Sequence, residues 1–280
     1  MSAVDLHMHT AASDGSDTVP ELLEKIQQCG ITVFSVTDHD TIDGAAEMGR
    51  LIPDDLRYIP GIEFSAVTPC GKCHILGYRY DPSAAEFQEV LAYGKALRAR
   101  KLECRLEALD RKFGIRLTAE ELEWLRKQSS PGKPHIARVL VRRGLFPDIK
   151  TAISEAVNHC KAPNSRIPAE KVIPAILHAG GVPVWAHPLG GEGERLLSEA
   201  KFNVQLRYLQ SLGIQGLECF YSRYTREQIQ FLLDHASRSS LAVSGGSDFH
   251  GKNKANITPG KLNAADEPVP EDRITLLSLL

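Results

Sequence analysis

The chain has 280 residues, 42% of them hydrophobic, and a formal net charge of −2, the profile of an ordinary soluble protein long enough for one large domain or a domain with an insert. The opening MSAVDLHMHT lacks a basic, apolar leader, and no window approaches the roughly 18 uninterrupted apolar residues of a membrane helix, so a cytoplasmic protein with no membrane partner is expected. Six scattered cysteines do not form the dense framework of a small secreted domain and are expected as thiols.

Taken in chain order, VDLHMH (4–9) reads as a strand, and TVPELLEKIQQCG (18–30) as a helix with Thr18 and Glu21 at capping-box spacing and Gly30 as its stop. ITVFSVT (31–37) is a buried, β-branched strand running into DHD, and RYIPGIEFSAV (57–67) and CHILGYRY (73–80) are further strands. From about residue 170 the alternation is regular: helix 170–181, strand VPVWAH (182–187), helix 202–213, strand GLECFY (216–221), helix 225–237 and strand LAVSGGSDFH (241–250). Repeated βα units imply parallel strands covered by helices, with a site at the strand C-termini.

Residues 82–170 break this pattern. Helical periods run through 86–114, 118–128, 133–144 and 148–157 without a convincing strand, which predicts a helical insert between two parts of an α/β domain, 1–81 and 171–280. The insert carries 17 Lys and Arg against 11 Asp and Glu, leaving 16 against 24 elsewhere: a basic cap on an acidic body.

Histidines and acids collect at the ends of the strands. His7 and His9 lie two apart, on one face of the first; Asp14 follows in SDG; Asp38, His39 and Asp40 close the second; Glu63 lies in GIEFS, His74 opens CHILGY, His187 ends VPVWAH, and Asp248 and His250 end SGGSDFH. Imidazoles mixed with carboxylates, with no obligatory thiolate, suit Zn, Mn or Fe. His159, His178 and His235 fall in predicted helices away from any motif and are read as non-ligands. The CGKCH stretch (70–74) has haem-attachment spacing, but no export signal and no second cysteine pair accompany it, so no haem is expected.

The ordered series DLHMHT, SDG, TDHD, GIEFS, CHILGY, AHP and GSDFHG resembles the motifs of the polymerase and histidinol phosphatase (PHP) superfamily of metal-dependent phosphoesterases. That resemblance implies a distorted seven-stranded βα barrel, TIM-like, holding two or three divalent ions. It implies His7, His9, Glu63 and Asp248 around one ion, Asp14, His39 and His250 around a second, and Glu63, His74 and His187 around a third. Asp38 and Asp40 would orient imidazoles behind them, and His74 would then be a ligand independent of Cys70 and Cys73.

Within the insert, GKPHIARVLVRRG resembles a segment of the PHP branch that acts on nucleoside 3',5'-bisphosphates and short RNA 5' ends. In that branch Arg98, Lys101 and Arg105, at helical spacing, with Lys133 and His135, would grip substrate phosphates. Tyr224 stands near where the branch often has histidine, Lys133 stands where arginine is common, and KANITPGKL departs from the usual final loop. The implied reaction is attack of a metal-activated hydroxide on phosphorus, with Asp248, His187 and His250 catalytic and the two histidines candidates for proton transfer. Histidinol phosphatase, another small-molecule phosphomonoesterase, or an inactive PHP scaffold are the alternatives.

Overall fold

The computed structural model describes residues 1–191 and 195–280. The chain begins with β1 (Val4–Asp5), α1 (Val19–Gln28), β2 (Val33–Phe34), α2 (Asp43–Leu51) and β3 (Arg57–Tyr58), whose strands pair in parallel in the order β1-β2-β3. α1 starts on the predicted capping box, with Thr18 and Glu21 satisfying each other's backbone N–H groups, and buries Val19, Leu22 and Ile26 at helical spacing. α2 was not legible in the sequence.

A second sheet follows in the order β6-β4-β5-β7-β8-β9, with β4 (Gly61–Thr68), β5 (Gly71–Tyr78), β6 (Ile167–Pro168), β7 (Val182–Ala186), β8 (Gly216–Tyr221) and β9 (Ala242–Gly246). Helices α7 (Ala169–His178), α8 (Glu199–Ser211) and α9 (Arg226–Arg238) alternate with its later strands. The α/β class holds; the strands of the expected distorted seven-stranded βα barrel fall into two sheets, one of them mixed, and do not form a single closed sheet. β5 is antiparallel to both β4 and β7, because the two-residue link Pro69–Cys70 can only return the chain as a hairpin.

The first two strands are shorter than the apolar runs that encode them. Past Val4–Asp5 the buried Asp5 carboxylate accepts from His7 N (3.2 Å), Ser247 N (2.9 Å) and Gly260 N (2.8 Å), so a side chain takes backbone donors that a longer ladder would use. The sheets still meet edge to edge: Leu6 N donates to Gly245 O (3.1 Å) and Glu63 N to Asp38 O (3.2 Å), beside isolated bridges Met8–Phe249 and His39–Glu63. Gly246 permits the closest approach, since a Cβ there would lie 2.2 Å from His7 Cβ.

Between the sheet strands lie α3 (Ala85–Phe113), α4 (Ala119–Arg126), α5 (Lys133–Arg142) and α6 (Ile149–Glu155). The first half of α3 sends Phe87, Val90 and Leu91 into the main core, whereas its second half joins Leu102, Ala108 and Leu109 to Leu125, Ile136, Leu140 and Val157 in a separate apolar cluster. One long helix therefore carries a second small core, and at about 1.5–3 kcal/mol per fully buried large apolar side chain that core is a substantial fraction of the stability. Among the described residues no helix is long and apolar enough to cross a membrane.

Candidate metal centre

Strand ends and the turns after them bring most of the expected imidazoles and carboxylates into one pocket, while Glu63 and His74 project into it from within β4 and β5 and not from strand ends. His7 and His9, on the extended segment after β1, meet with Nε2 atoms 3.1 Å apart. Glu63, in the middle of β4, is the hub. Its Oε2 lies 3.4 Å from His7 Nε2, 3.3 Å from His9 Nε2 and 3.0 Å from His39 Nδ1, and its Oε1 lies 2.8 Å from His74 Nδ1 and 3.0 Å from His187 Nε2. Asp248 Oδ1 is 3.6 Å from His7 Nε2, 3.3 Å from His9 Nε2 and 3.4 Å from His250 Nδ1. Asp14 completes the far side, 3.1 Å from His250 Nε2 and 3.8 Å from both His9 Nδ1 and His39 Nε2.

Three overlapping groups have donor atoms close enough to share a cation: His9, Asp14, His39 and His250; His7, His9 and Glu63; and His39, Glu63 and His74. His9 thus joins the Asp14 group as well as its own. The fit to cations is visible in the polar atoms themselves: His9 Nδ1, His39 Nδ1 and Glu63 Oε2 are buried without a hydrogen-bond partner, an expensive condition for protein atoms alone. Borderline nitrogen and hard oxygen donors together suit Zn, Mn or Fe.

The electrostatics separate donors by charge state. Burial works against the ionised forms of Asp14, Glu63 and Asp248, but the surrounding imidazoles, with Lys254 for Asp248, hold all three carboxyls well below the usual range. Burial likewise opposes protonation of His9, yet Asp248 and Glu63 lift it to about 9, and His7 and His187 also rise. At His74 and His250 burial wins, pushing each to about 4. The pocket therefore combines anionic carboxylates with neutral imidazoles and exchangeable protons, a composition that divalent ions can take over by displacing protons.

Supporting contacts hold the pocket open. His187 and Asp248 have positive φ (28° and 58°), a conformation costing about 1–3 kcal/mol that only an over-determined surrounding sustains. Asp248 N donates to His7 O (2.8 Å), and His187 N donates to Glu218 Oε2 (2.6 Å). Glu218, fully buried in β8, also pairs through Oε1 with His7 Nδ1 at 2.8 Å, which leaves His7 Nε2 to face the pocket. Glu218 was not singled out from the sequence; its signal is a carboxylate inside the otherwise apolar run GLECFY. Tyr224, where the PHP branch often has histidine, instead accepts from Leu189 N through its hydroxyl oxygen (2.8 Å) and steadies the turn after His187.

The expected orienting role of Asp38 and Asp40 takes a different form. Asp38 accepts from Thr10 N, Thr10 Oγ1 and Ser13 Oγ at 2.8, 2.6 and 2.5 Å, tying down the loop that carries Asp14. Asp40 accepts from Ser65 N (2.8 Å) and pairs with Arg98 Nε (2.6 Å); among the described residues neither aspartate hydrogen-bonds to a histidine. Cys73 packs in the apolar core on the opposite strand face from His74, its thiol pushed up to about 12 by burial, so the CGKCH motif splits between core and site.

The insert overhangs this pocket. Gly132, at the start of α5, sits close enough to Asp14 that a Cβ there would lie 4.0 Å from Asp14 Cβ. Of the expected phosphate contacts, Arg98 is already committed to Asp40 and to Ser65 Oγ (2.9 Å), and Lys133 donates to Asn158 Oδ1 (2.6 Å). His135 Nδ1 accepts from Gly132 N (3.1 Å), and burial pushes its ring to about 4. Lys101 and Arg105 make no ion pair among the described residues, and Arg105 Nε is buried without a partner. Burial, then the charges of Arg105, Arg98, Arg166 and Lys133, depress Lys101 to about 7, since like charges crowd its ammonium.

Residues 5–251 match the PHP domain family. The chain is 29% identical over 262 residues to a 3',5'-nucleoside bisphosphate phosphatase of Chromobacterium violaceum, covering 89% of this chain and 88% of that one. It is 28% identical to the 5'-3' exoribonuclease Rnm of Escherichia coli K12 over 88% of this chain and 84% of the other. Among solved structures, a Bifidobacterium adolescentis protein assigned as a metal-dependent phosphoesterase superposes with a TM-score of 0.82 at 31% identity, covering 98% and 95% of the two chains. With the family motifs folded into one carboxylate–imidazole pocket, the chain belongs to the PHP domain family of metal-dependent phosphoesterases.

Proposed function

We propose that this protein releases phosphate or nucleotides from nucleoside 3',5'-bisphosphates or from the 5' ends of short RNA. The observation that carries the reading is the meeting of an acid-and-imidazole pocket with cations on the overhanging insert, Lys101 and Arg105, that make no ion pair among the described residues. An anionic substrate with more than one phosphate satisfies both halves, and two relatives named for such substrates share most of the chain's length.

His7, His9, Asp14, His39, Glu63, His74, His187, Asp248 and His250 would hold two or three divalent ions, manganese, iron or zinc, with Glu63 shared between them. Such ions supply Lewis acidity toward phosphoryl oxygens. Lys101 and Arg105 draw in and orient the phosphates, and residues 82–170 act as a cap that limits water. His187 and His250, at the rim of the carboxylate group, are the candidates to pass a proton to the leaving oxygen. The edge contacts between the two sheets support reading the body as a strongly distorted seven-stranded ring.

Phosphate release from adenosine 3',5'-bisphosphate, histidinol phosphate and a short 5'-phosphorylated RNA, each with Mn2+ and after chelation, tests the proposal. Turnover of the first or third, lost on chelation, supports it. Preference for histidinol phosphate favours the smaller-substrate alternative, and silence on all three favours a scaffold.

A further inference from the structure

Among the described residues Asp14 and Glu63 pair only with imidazoles, whereas Asp248 has an ammonium on its outer oxygen. Lys254 Nζ lies 2.5 Å from Asp248 Oδ2, and the Tyr221 hydroxyl donates to that same oxygen at 2.9 Å. Oδ1 is left facing His7, His9 and His250. Two donors on one oxygen restrict Asp248 to a single free oxygen for a cation.

The lysine is held there by construction. It ends a 3-10 turn, Gly251–Lys254, in which Asn253 Nδ2 donates to Asp14 O (2.8 Å) and Lys252 N to Ser16 Oγ (2.8 Å). Gly251 adopts a φ of 62°, and a Cβ at that position would lie 2.1 Å from Ser16 Oγ. The turn is thus fixed to the loop bearing Asp14 while its last side chain, 18% exposed, reaches under Asp248.

We propose that Lys254 is a built-in cation that weakens and orders the hold of Asp248 on a divalent ion, a positioning residue that keeps this corner of the pocket exchangeable. The inference rests on the reading of the pocket as a metal site. A fixed positive charge one carboxylate away repels a divalent ion strongly in a poorly solvated pocket, while a neutral donor on the same oxygen only orients it. Charge and orientation are therefore separable by substitution.

The protein, stripped by chelation and dialysed, is titrated with Mn2+ in Lys254→Met, Lys254→Arg and Tyr221→Phe forms, following bound manganese by its electron paramagnetic resonance signal against a competing chelator. Lys254→Met is expected to hold its tightest Mn2+ at least about tenfold more firmly than the parent. Lys254→Arg, which keeps the charge, and Tyr221→Phe, which removes only a neutral donor, are expected to stay within about threefold. Unchanged or weaker Mn2+ binding in a folded Lys254→Met protein overturns the inference, as does equal tightening in Lys254→Arg. A parent protein that binds no Mn2+ overturns the metal-site reading beneath it as well.

Discussion

Replacing Glu218 with glutamine isolates the contribution of a buried group that touches no substrate. The substitution preserves shape, so no cavity forms, but the carboxylate's two acceptors become one acceptor and one donor. Glu218 faces His7 Nδ1 at 2.8 Å and His187 N at 2.6 Å, so one of these N–H groups must now point at an amide NH2. A buried donor left unpaired costs about 1–3 kcal/mol. At about 2–4 °C per kcal/mol the melting temperature should fall by on the order of 5 °C. Because both partners are candidate ligands, Mn2+ affinity should also drop by about 10–100-fold, the usual range for groups that orient ligands from behind. Thermal denaturation with and without Mn2+, together with manganese content after dialysis, measures both effects. Glu218→Gln protein with parental melting and parental manganese retention would refute the reasoning that Glu218 fixes His7 and His187.

Lys101 predicts a pH dependence. Its ammonium titrates near 7, is charged below that pH and neutral above it, so KM for a polyphosphorylated substrate should rise as pH increases through about 7, and Lys101→Met should flatten that rise while raising KM throughout. Arg98→Ala should act mainly on stability, since it strands the buried Asp40 carboxylate: a loss of about 3–5 kcal/mol, read by denaturant unfolding, is expected in place of a pure KM effect. Gly246→Ala should abolish metal retention or folding altogether, because its methyl group would collide with His7, and a crystal structure with both in place would contradict the close packing described.

Most of the site was legible in the sequence because its residues terminate apolar runs: His187 after VPVWA and Asp248 after AVSGGS mark the points where strands stop being core and become chemistry. Glu218 was hidden by the reverse situation, a polar residue in the middle of a buried strand, where alternation predicts packing alone. The hairpin of β4 and β5 carried a readable signal in its two-residue link, yet the βα rhythm on either side favoured parallel strands. Helical spacing grouped Arg98 with Lys101 and Arg105 along α3, but only tertiary structure could bring Asp40 to it from 58 residues away. Lys254 lay in a tail without periodicity, where position in space owes nothing to pattern.

Anomalous diffraction from crystals grown with Mn2+, collected on both sides of the manganese edge, addresses the metal-binding pocket directly. Two or three peaks inside the ring of His7, His9, Asp14, His39, Glu63, His74, His187, Asp248 and His250 are predicted, one of them against Glu63. A well-folded crystal with no manganese in that ring, or with manganese only on surface carboxylates, would contradict the account.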